Sequence, residues 1–333
     1  MLNRTDLDII GALFYDPRAS IDTLAHVADV SPSTASRRLK QLIDSHRVHI
    51  VGEVAWQLFS DSYPVHAWIR VLGTDITSVA RTIAALPEAQ HVATIFGREP
   101  IFTTLNARSD SALLQLIDDI QQIPGVSTVM TLPILTWAAK ASGWNPRLLS
   151  DSQVSQIPHP QDFPTRAQPA GFAPTKTELT ALRGLQRNGR FTAAELSTLA
   201  KVSAPTAQRT INRIIDRGWL RPRVECNLAD IGITCRFLVR IQTDPQHTEA
   251  VLRAVSSHPA NRFVTQVAGD ADIFAVGVCT DRQELARIIN EDLANIPGVR
   301  GTRTDIIARD WKRYWHTLGP DGELGDFRPP KVR

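Results

Sequence analysis

The segment SPSTASRRLKQLID at Ser31–Asp44 returns 172 residues later as SAPTAQRTINRIID at Ser203–Asp216. At the same spacing, DPRASIDTLAHVADVS (16–31) meets NGRFTAAELSTLAKVS (188–203) and FGREPIF (96–102) meets AGDADIF (268–274). QQIPGVSTVMT (121–131) then meets ANIPGVRGTRT (294–304) at a spacing of 173. Matches that keep their order at a near-constant spacing mark an internal duplication, so the chain folds as two copies of one plan. Its 333 residues, at roughly 100–200 residues per domain, leave room for two or more domains.

Each half divides again. It begins with helix signals only. Ser20 is an N-cap before IDTLAHVAD, and Ser31 is an N-cap followed by proline at the first helical position. Thr175 with Glu178, and Thr192 with Glu195, form capping-box patterns. Gly218 ends the third helix of the second copy in a left-handed conformation. Strand signals rich in β-branched and aromatic residues follow: HAWIRVL, HVATIF, IFTTLNA and VSTVMTLPIL, with amphipathic helices between the first and second and between the third and fourth. The second half repeats this order, which is the split βαβ, ferredoxin-like plan.

The expected fold is therefore α+β, a tandem duplication of a winged-helix-like helix-turn-helix domain followed by a ferredoxin-like βαββαβ domain. Helix-turn-helix domains fall at 1–50 and 175–223, and the sheet domains at 62–144 and 233–316. Residues 145–174, rich in Pro, Gln and Ser, read as linker, and 318–333 as a loose tail.

The third helix of each copy carries the functional signal. Placed on a 100° wheel, Ala35, Leu39, Leu42 and Ile43 share one face, as do Ala207, Ile211, Ile214 and Ile215. The opposite faces are polar or basic. A helix, a tight turn and a second helix with such an outer face is the arrangement that places the second helix in the DNA major groove. Arginine donates two parallel hydrogen bonds to guanine, while asparagine and glutamine pair with adenine in the same way. The expected DNA-binding residues are Ser33, Thr34, Ser36, Arg37, Arg38 and Lys40, with Thr206, Gln208, Arg209, Asn212 and Arg213 in the second copy. Between 201 and 223 the basic residues Lys201, Arg209, Arg213, Arg217, Arg221 and Arg223 face one acid, Asp216, an excess suited to phosphate. The whole-chain charge of +3 adds little to this.

These residues resemble the Lrp/AsnC (feast/famine) family of bacterial transcription regulators. The resemblance rests on LDII, DPRAS…LA…VSPSTASRRLKQL, the glycine turn of the sheet domain and IPGV, and covers each half nearly end to end. It implies an N-terminal helix-turn-helix and a ferredoxin-like domain for effector binding and oligomerisation. It also implies double-stranded DNA and a small-molecule effector, an amino acid or similar, as partners, and a homo-oligomer. Family members usually hold one such unit, so this chain resembles a covalent pseudo-dimer. The family commonly has two adjacent arginines in the third helix. Arg37-Arg38 keeps both, while Arg209-Thr210 keeps one. Its Gly-Asp-x-Asp-like turn is kept as Gly269, Asp270 and Asp272, the expected effector site, and is replaced by Gly97-Arg98-Glu99-Pro100 in the first half.

The same resemblance reaches siroheme decarboxylases, an enzymatic alternative. A third reading is a small-molecule-binding protein that has lost DNA binding. The nine histidines do not repeat between the halves, and no G-x-S-x-G, P-loop, G-x-G-x-x-G or HExxH occurs. Cys226, Cys235 and Cys279 form no CxxC pair. We therefore expect a regulator rather than an enzyme, with no catalytic residue, metal or cofactor. MLNRTDLDII lacks a basic stretch leading into an apolar core, and no apolar run reaches the ~18 residues that span a bilayer. The expectation is a cytoplasmic protein without a membrane partner.

Overall fold

A computed structural model describes residues 2–158 and 173–333. In chain order its elements are α1 (Arg4–Tyr15), α2 (Ile21–Val27), α3 (Pro32–Asp44), β1 (Val48–Val54), β2 (Val65–Val71), α4 (Ile76–Ala85), β3 (Ala89–Phe96), β4 (Ile101–Leu105), α5 (Asp110–Gln121) and β5 (Val126–Ala139). There follow α6 (Asp151–Val154), α7 (Lys176–Arg187), α8 (Ala193–Ala200), α9 (Ala204–Asp216), β6 (Leu220–Cys226), β7 (Cys235–Thr243), α10 (Thr248–Ser257), β8 (Asn261–Val267) and β9 (Ile273–Cys279). The chain closes with α11 (Arg282–Arg287), β10 (Val299–Arg313), β11 (His316–Leu318) and β12 (Leu324–Phe327). The duplication is built in space by kind and not by half. One unit gathers Met1–Phe59, Asn145–Ile231 and Lys331–Arg333; the other gathers Ser60–Trp144 and Gly232–Pro330.

The first unit holds both helix-turn-helix copies. Asn3 with Asp6 and Thr175 with Glu178 form capping boxes on α1 and α7, and Thr192 with Glu195 forms one on α8. The turn into each third helix is left-handed at equivalent places, Asp29 (φ 50°) and Lys201 (φ 53°). Each third helix also ends left-handed. The second copy uses Gly218 (φ 65°) and the first places His46 there (φ 55°), at the steric cost that glycine avoids. Ile9, Ile10, Leu13, Leu24, Leu39 and Leu42 are buried in the first copy, and Leu182, Leu185, Leu196, Ile211 and Ile214 in the second.

The sequence reading assigned no strand to 48–54 or 220–226. Both alternate apolar residues, as in Val48, Ile50, and Leu220, Val224 and Cys226, and they form β1 and β6. The wing of each copy is thus a single strand, and it pairs antiparallel with the wing of the other. Val51 lies opposite Arg223, the residue equivalent to itself in the other half. A strand paired about its own equivalent residue is the signature of an isologous, two-fold contact.

The second unit holds both sheet domains. Within each half, the pairs β3–β4, β4–β2 and β2–β5 recur as β8–β9, β9–β7 and β7–β10, all antiparallel. The halves then exchange edges, β5 with β8 and β10 with β3. Among the described residues, eight strands therefore close in the order β10-β3-β4-β2-β5-β8-β9-β7, with no open edge between the halves. Side chains alternate across the strands. Val65, Ala67 and Ile69 pack under α4 and α5, with Val79, Ile83, Leu116 and Ile120. Val239 and Ile241 pack under α10 and α11, with Val251, Val255 and Leu285. The helix-free face closes around Trp68, Phe102, Leu132, Leu238, Phe274 and Ile307.

Two boundary expectations need correction. Residues 145–158 are not bare linker: Ser150 caps α6 in a capping box, and Leu149 and Ile157 are buried. The remainder of that stretch, 159–172, lies outside the described residues. The tail from 318 is not loose. β11 folds back to pair antiparallel with β10 and also pairs with β12, and Val332 is 1% exposed, its carbonyl accepting from Arg183 at 3.1 Å. Gly and Pro in that tail set turns between short strands, a use that composition alone does not distinguish from disorder.

Candidate nucleic-acid interface

The third helices α3 and α9 are set up alike. Ser31 and Ser203 accept from the backbone N–H groups of Thr34 and Thr206 at 3.3 and 3.4 Å. Proline sits within the first two positions of both, and neither carries an acidic residue in its first turn. The positive end of each helix dipole is therefore left clear for phosphate. Ala35, Leu39 and Leu42, and Ala207, Ile211 and Ile214, are buried as the wheel required, whereas Ile43 is 37% exposed and Ile215 half-buried at the edges of the stripes.

On the outer faces, Ser33, Ser36, Arg37, Lys40, Gln208, Arg209, Asn212 and Arg213 are exposed, while Thr34, Arg38 and Thr206 are half-buried. Several make local pairs. Lys40 meets Asp44 at 2.6 Å, Gln208 donates to Asn212 Oδ1 at 2.8 Å, and Arg209 donates to the Thr206 hydroxyl at 3.4 Å.

Two of the expected readers turn toward the first helix of their own copy. Arg38 approaches the buried Asp6 at 3.8 Å. Arg213 approaches the buried Glu178 at 3.4 Å, with Arg217 at 3.9 Å. Asp6 and Glu178 are equivalent residues at the third position of α1 and α7, so one acid per copy both caps its helix and steadies the third helix. Of the remaining basic cluster, Arg221 and Arg223 are buried in β6, with Arg223 3.0 Å from Glu53. The local excess of positive charge is thus smaller at the surface than in the sequence.

A reciprocal contact that the sequence reading missed joins the copies. Arg18 donates to the carbonyls of Gly189 (2.6 Å) and Phe191 (3.2 Å). Its equivalent, Arg190, donates to Pro17 (3.1 Å) and Ala19 (2.8 Å). The signal was an arginine kept at 18 and 190 on a loop that belongs to neither third helix. Burial lowers the pKa of both guanidinium groups from the ordinary arginine value.

The expected effector turn lies in the sheet unit. Gly269 has φ 133°, and a Cβ there would stand 2.5 Å from Leu132 Cδ2. Asp270 is exposed and 3.6 Å from Arg240. Asp272 is half-buried, and its Oδ2 accepts from the backbone N–H of Thr243 at 2.7 Å and lies 3.1 Å from its hydroxyl. In the first half, Glu99 meets Arg303 at 2.6 Å. Among the described residues no three His, Cys, Asp or Glu side chains gather as a metal site, and no helix is long and apolar enough to cross a membrane.

Known proteins match this layout piece by piece. Residues 2–48 match a winged helix-turn-helix DNA-binding family and 236–314 the Lrp/AsnC ligand binding domain. Residues 69–143 match a dimeric alpha+beta barrel domain, and 171–225 the MarR family. An uncharacterised HTH-type transcriptional regulator of Pyrococcus abyssi is 32% identical over 127 residues, 38% of this chain and 80% of that protein. The leucine-responsive regulatory protein of Rhizobium meliloti is 26% identical over 140 residues, 40% of this chain and 89% of that protein. Among solved structures, the siroheme decarboxylase NirDL superposes with a TM-score of 0.61 at 12% identity, covering 92% of both chains. That last likeness is one of fold.

Proposed function

The chain belongs to the Lrp/AsnC family of DNA-binding regulators, and on that premise we propose that it acts as a covalent pseudo-dimer, a transcriptional regulator that reads DNA with α3 and α9 together. The observation that carries the proposal is the pair of third helices held in one unit, each with an exposed arginine, Arg37 or Arg209, at the same place on its outer face. The reciprocal Arg18 and Arg190 bonds and the β1–β6 pairing support a fixed spacing between them.

We assign base contact to Ser36, Arg37, Lys40, Gln208, Arg209 and Asn212. Ser33, Thr34 and Thr206 serve the helix N-termini and the phosphates there. Arg38 and Arg213 lean on Asp6 and Glu178, and reach phosphate from those positions. We further assign an amino acid or similar small molecule to the turn at Gly269, Asp270 and Asp272, with higher assembly through the sheet unit. We place its action in the cytoplasm, where it would meet chromosomal DNA.

The enzymatic reading draws on the likeness of fold to the siroheme decarboxylase. The curated relatives favour the regulator, being an HTH-type transcriptional regulator and a leucine-responsive regulatory protein.

The test is retention of the full chain on duplex DNA over a salt series, run beside absorbance after mixing with siroheme. Phosphate neutralisation makes affinity fall steeply with salt. Salt-dependent retention without a siroheme spectral shift supports the regulator. A shifted spectrum without DNA retention supports the enzyme. Arg37→Ala and Arg209→Ala should each cost ~1–3 kcal/mol of operator binding if the side chain reads a base.

A further inference from the structure

We propose that one chain reads an asymmetric operator: two unlike half-sites in a fixed order, guanine-rich under α3 and carrying adenine beside guanine under α9. This rests on the reading that both helices enter the major groove.

The first observation is that α3 is presented together with α9. The strands that join the copies are not interchangeable at their centre, where Val51 faces Arg223. Arg223 donates to Glu225 at 2.7 Å and lies 3.0 Å from Glu53, so one arginine serves the equivalent acids of both strands. In the same register, two first-copy wings would set each Glu53 opposite His49 with no arginine beside it, and two second-copy wings would set Arg223 against Arg223. Leaving a buried charge without its partner is costly, so the mixed pair is the favoured one.

The second observation is the chemistry of the two outer faces. The shared position is Arg37 or Arg209, whose fork suits guanine O6 and N7. Beside it the copies diverge. In α9, Gln208 donates one N–H to Asn212 Oδ1 at 2.8 Å. That bond steadies the amide across one helical turn. It leaves the Gln208 carbonyl oxygen and a second N–H, the acceptor and donor that adenine N6 and N7 require. In α3 the same two places hold Ser36 and Lys40. Among the described residues Lys40 is tied only to Asp44, in an ion pair whose side chains are 75% and 59% exposed. Such a pair is weak, and the ammonium is available to guanine O6 and N7, for which it is a donor without an acceptor. Serine offers no bidentate pairing. The two helices therefore share one base preference and differ in those flanking it.

Selection from randomised duplexes with the full chain tests this, followed by the same selection with the S36Q/K40N double variant, which places the α9 amides on α3. The wild type should enrich a non-palindromic site with two half-sites at constant spacing, sharing a guanine. The double variant should enrich adenine in both halves, giving a more symmetric site. It should also bind the wild-type operator roughly 5- to 150-fold more weakly, the range for one mismatched position. A palindromic wild-type consensus, with salt-dependent DNA binding intact, would overturn the asymmetry and leave the regulator standing. A single enriched half-site that the double variant leaves unchanged would overturn base reading by α3. No enrichment and no salt-dependent retention would overturn the DNA-binding reading itself, and the inference with it.

Discussion

Trp68 and Arg240 occupy equivalent positions on β2 and β7, and they meet inside the barrel, the guanidinium carbon 4.4 Å from the ring centroid. One half supplies the aromatic face and the other the cation that binds it. Phe102 and Phe274, also equivalent, meet beside them. A barrel made from two first halves would set Trp68 against Trp68, and one made from two second halves would bury Arg240 against Arg240. The halves are complementary partners, and fusing them in one chain delivers both in equal number.

Arg240 is the member of this pair with the most to lose. It is buried, 3.4 Å from the buried Asp305 and 3.6 Å from Asp270. Removing one partner of a buried ion pair strands the other, at ~3–5 kcal/mol. Arg240→Leu should destabilise the protein by about that amount in chemical denaturation. An unchanged midpoint would remove the cation from the account of the barrel.

Arg18 and Arg190 each bond to the loop of the other copy, and on the proposed reading they set the spacing of α3 and α9. Charged hydrogen bonds contribute ~1.5–3 kcal/mol each. The double variant Arg18→Ala/Arg190→Ala should weaken binding to a two-half-site duplex more than binding to an isolated half-site. Gel-shift titration measures both. Equal losses on the two duplexes would mean that these arginines only stabilise the fold.

His66 makes stability depend on pH. It is fully buried against Phe102, Phe263 and Phe274, with its ring nitrogens 3.1 Å from Thr104 Oγ1 and 3.2 Å from Thr265 Oγ1. Burial, with a smaller contribution from His91, holds its pKa down at about 3. As pH falls from the unfolded value of ~6.5 toward 3, the unfolded chain takes up a proton that the folded one refuses, so stability declines. His66→Leu, which copies Leu238 at the equivalent place, should flatten the denaturation midpoint across that window. An identical slope in the variant would assign the dependence to another group.

Asp272→Asn separates charge from structure at the effector turn. Asparagine can still accept from the Thr243 N–H that Asp272 now binds. The fold should hold while affinity for a ligand ammonium falls. Calorimetry against a panel of amino acids checks this. Absence of heat with every amino acid on the wild type, together with unchanged DNA binding, would contradict an amino-acid effector.

Much of the architecture was legible because it repeats. Caps such as Thr175 with Glu178 and the apolar stripe from Ala35 to Leu42 depend on neighbours a turn apart, and these the sequence displays. The β1–β6 pairing, the exchange of β3 and β5 between halves, and the Arg18 loop contacts join residues more than a hundred positions apart. No local pattern encodes them. Arg221 and Arg223 show the cost of reading charge without partners. Their burial depends on Glu53 and Glu225, which lie on strands the helix signals did not predict.

The central claim is that this chain finds its place on DNA by sequence. Mapping the DNA fragments bound to the full chain in cells tests it most directly. The account predicts a limited set of discrete peaks sharing a two-part motif, lost in the Arg37→Ala/Arg209→Ala variant. Recovered DNA that matches the input genome without peaks, from a folded and expressed protein, would contradict it.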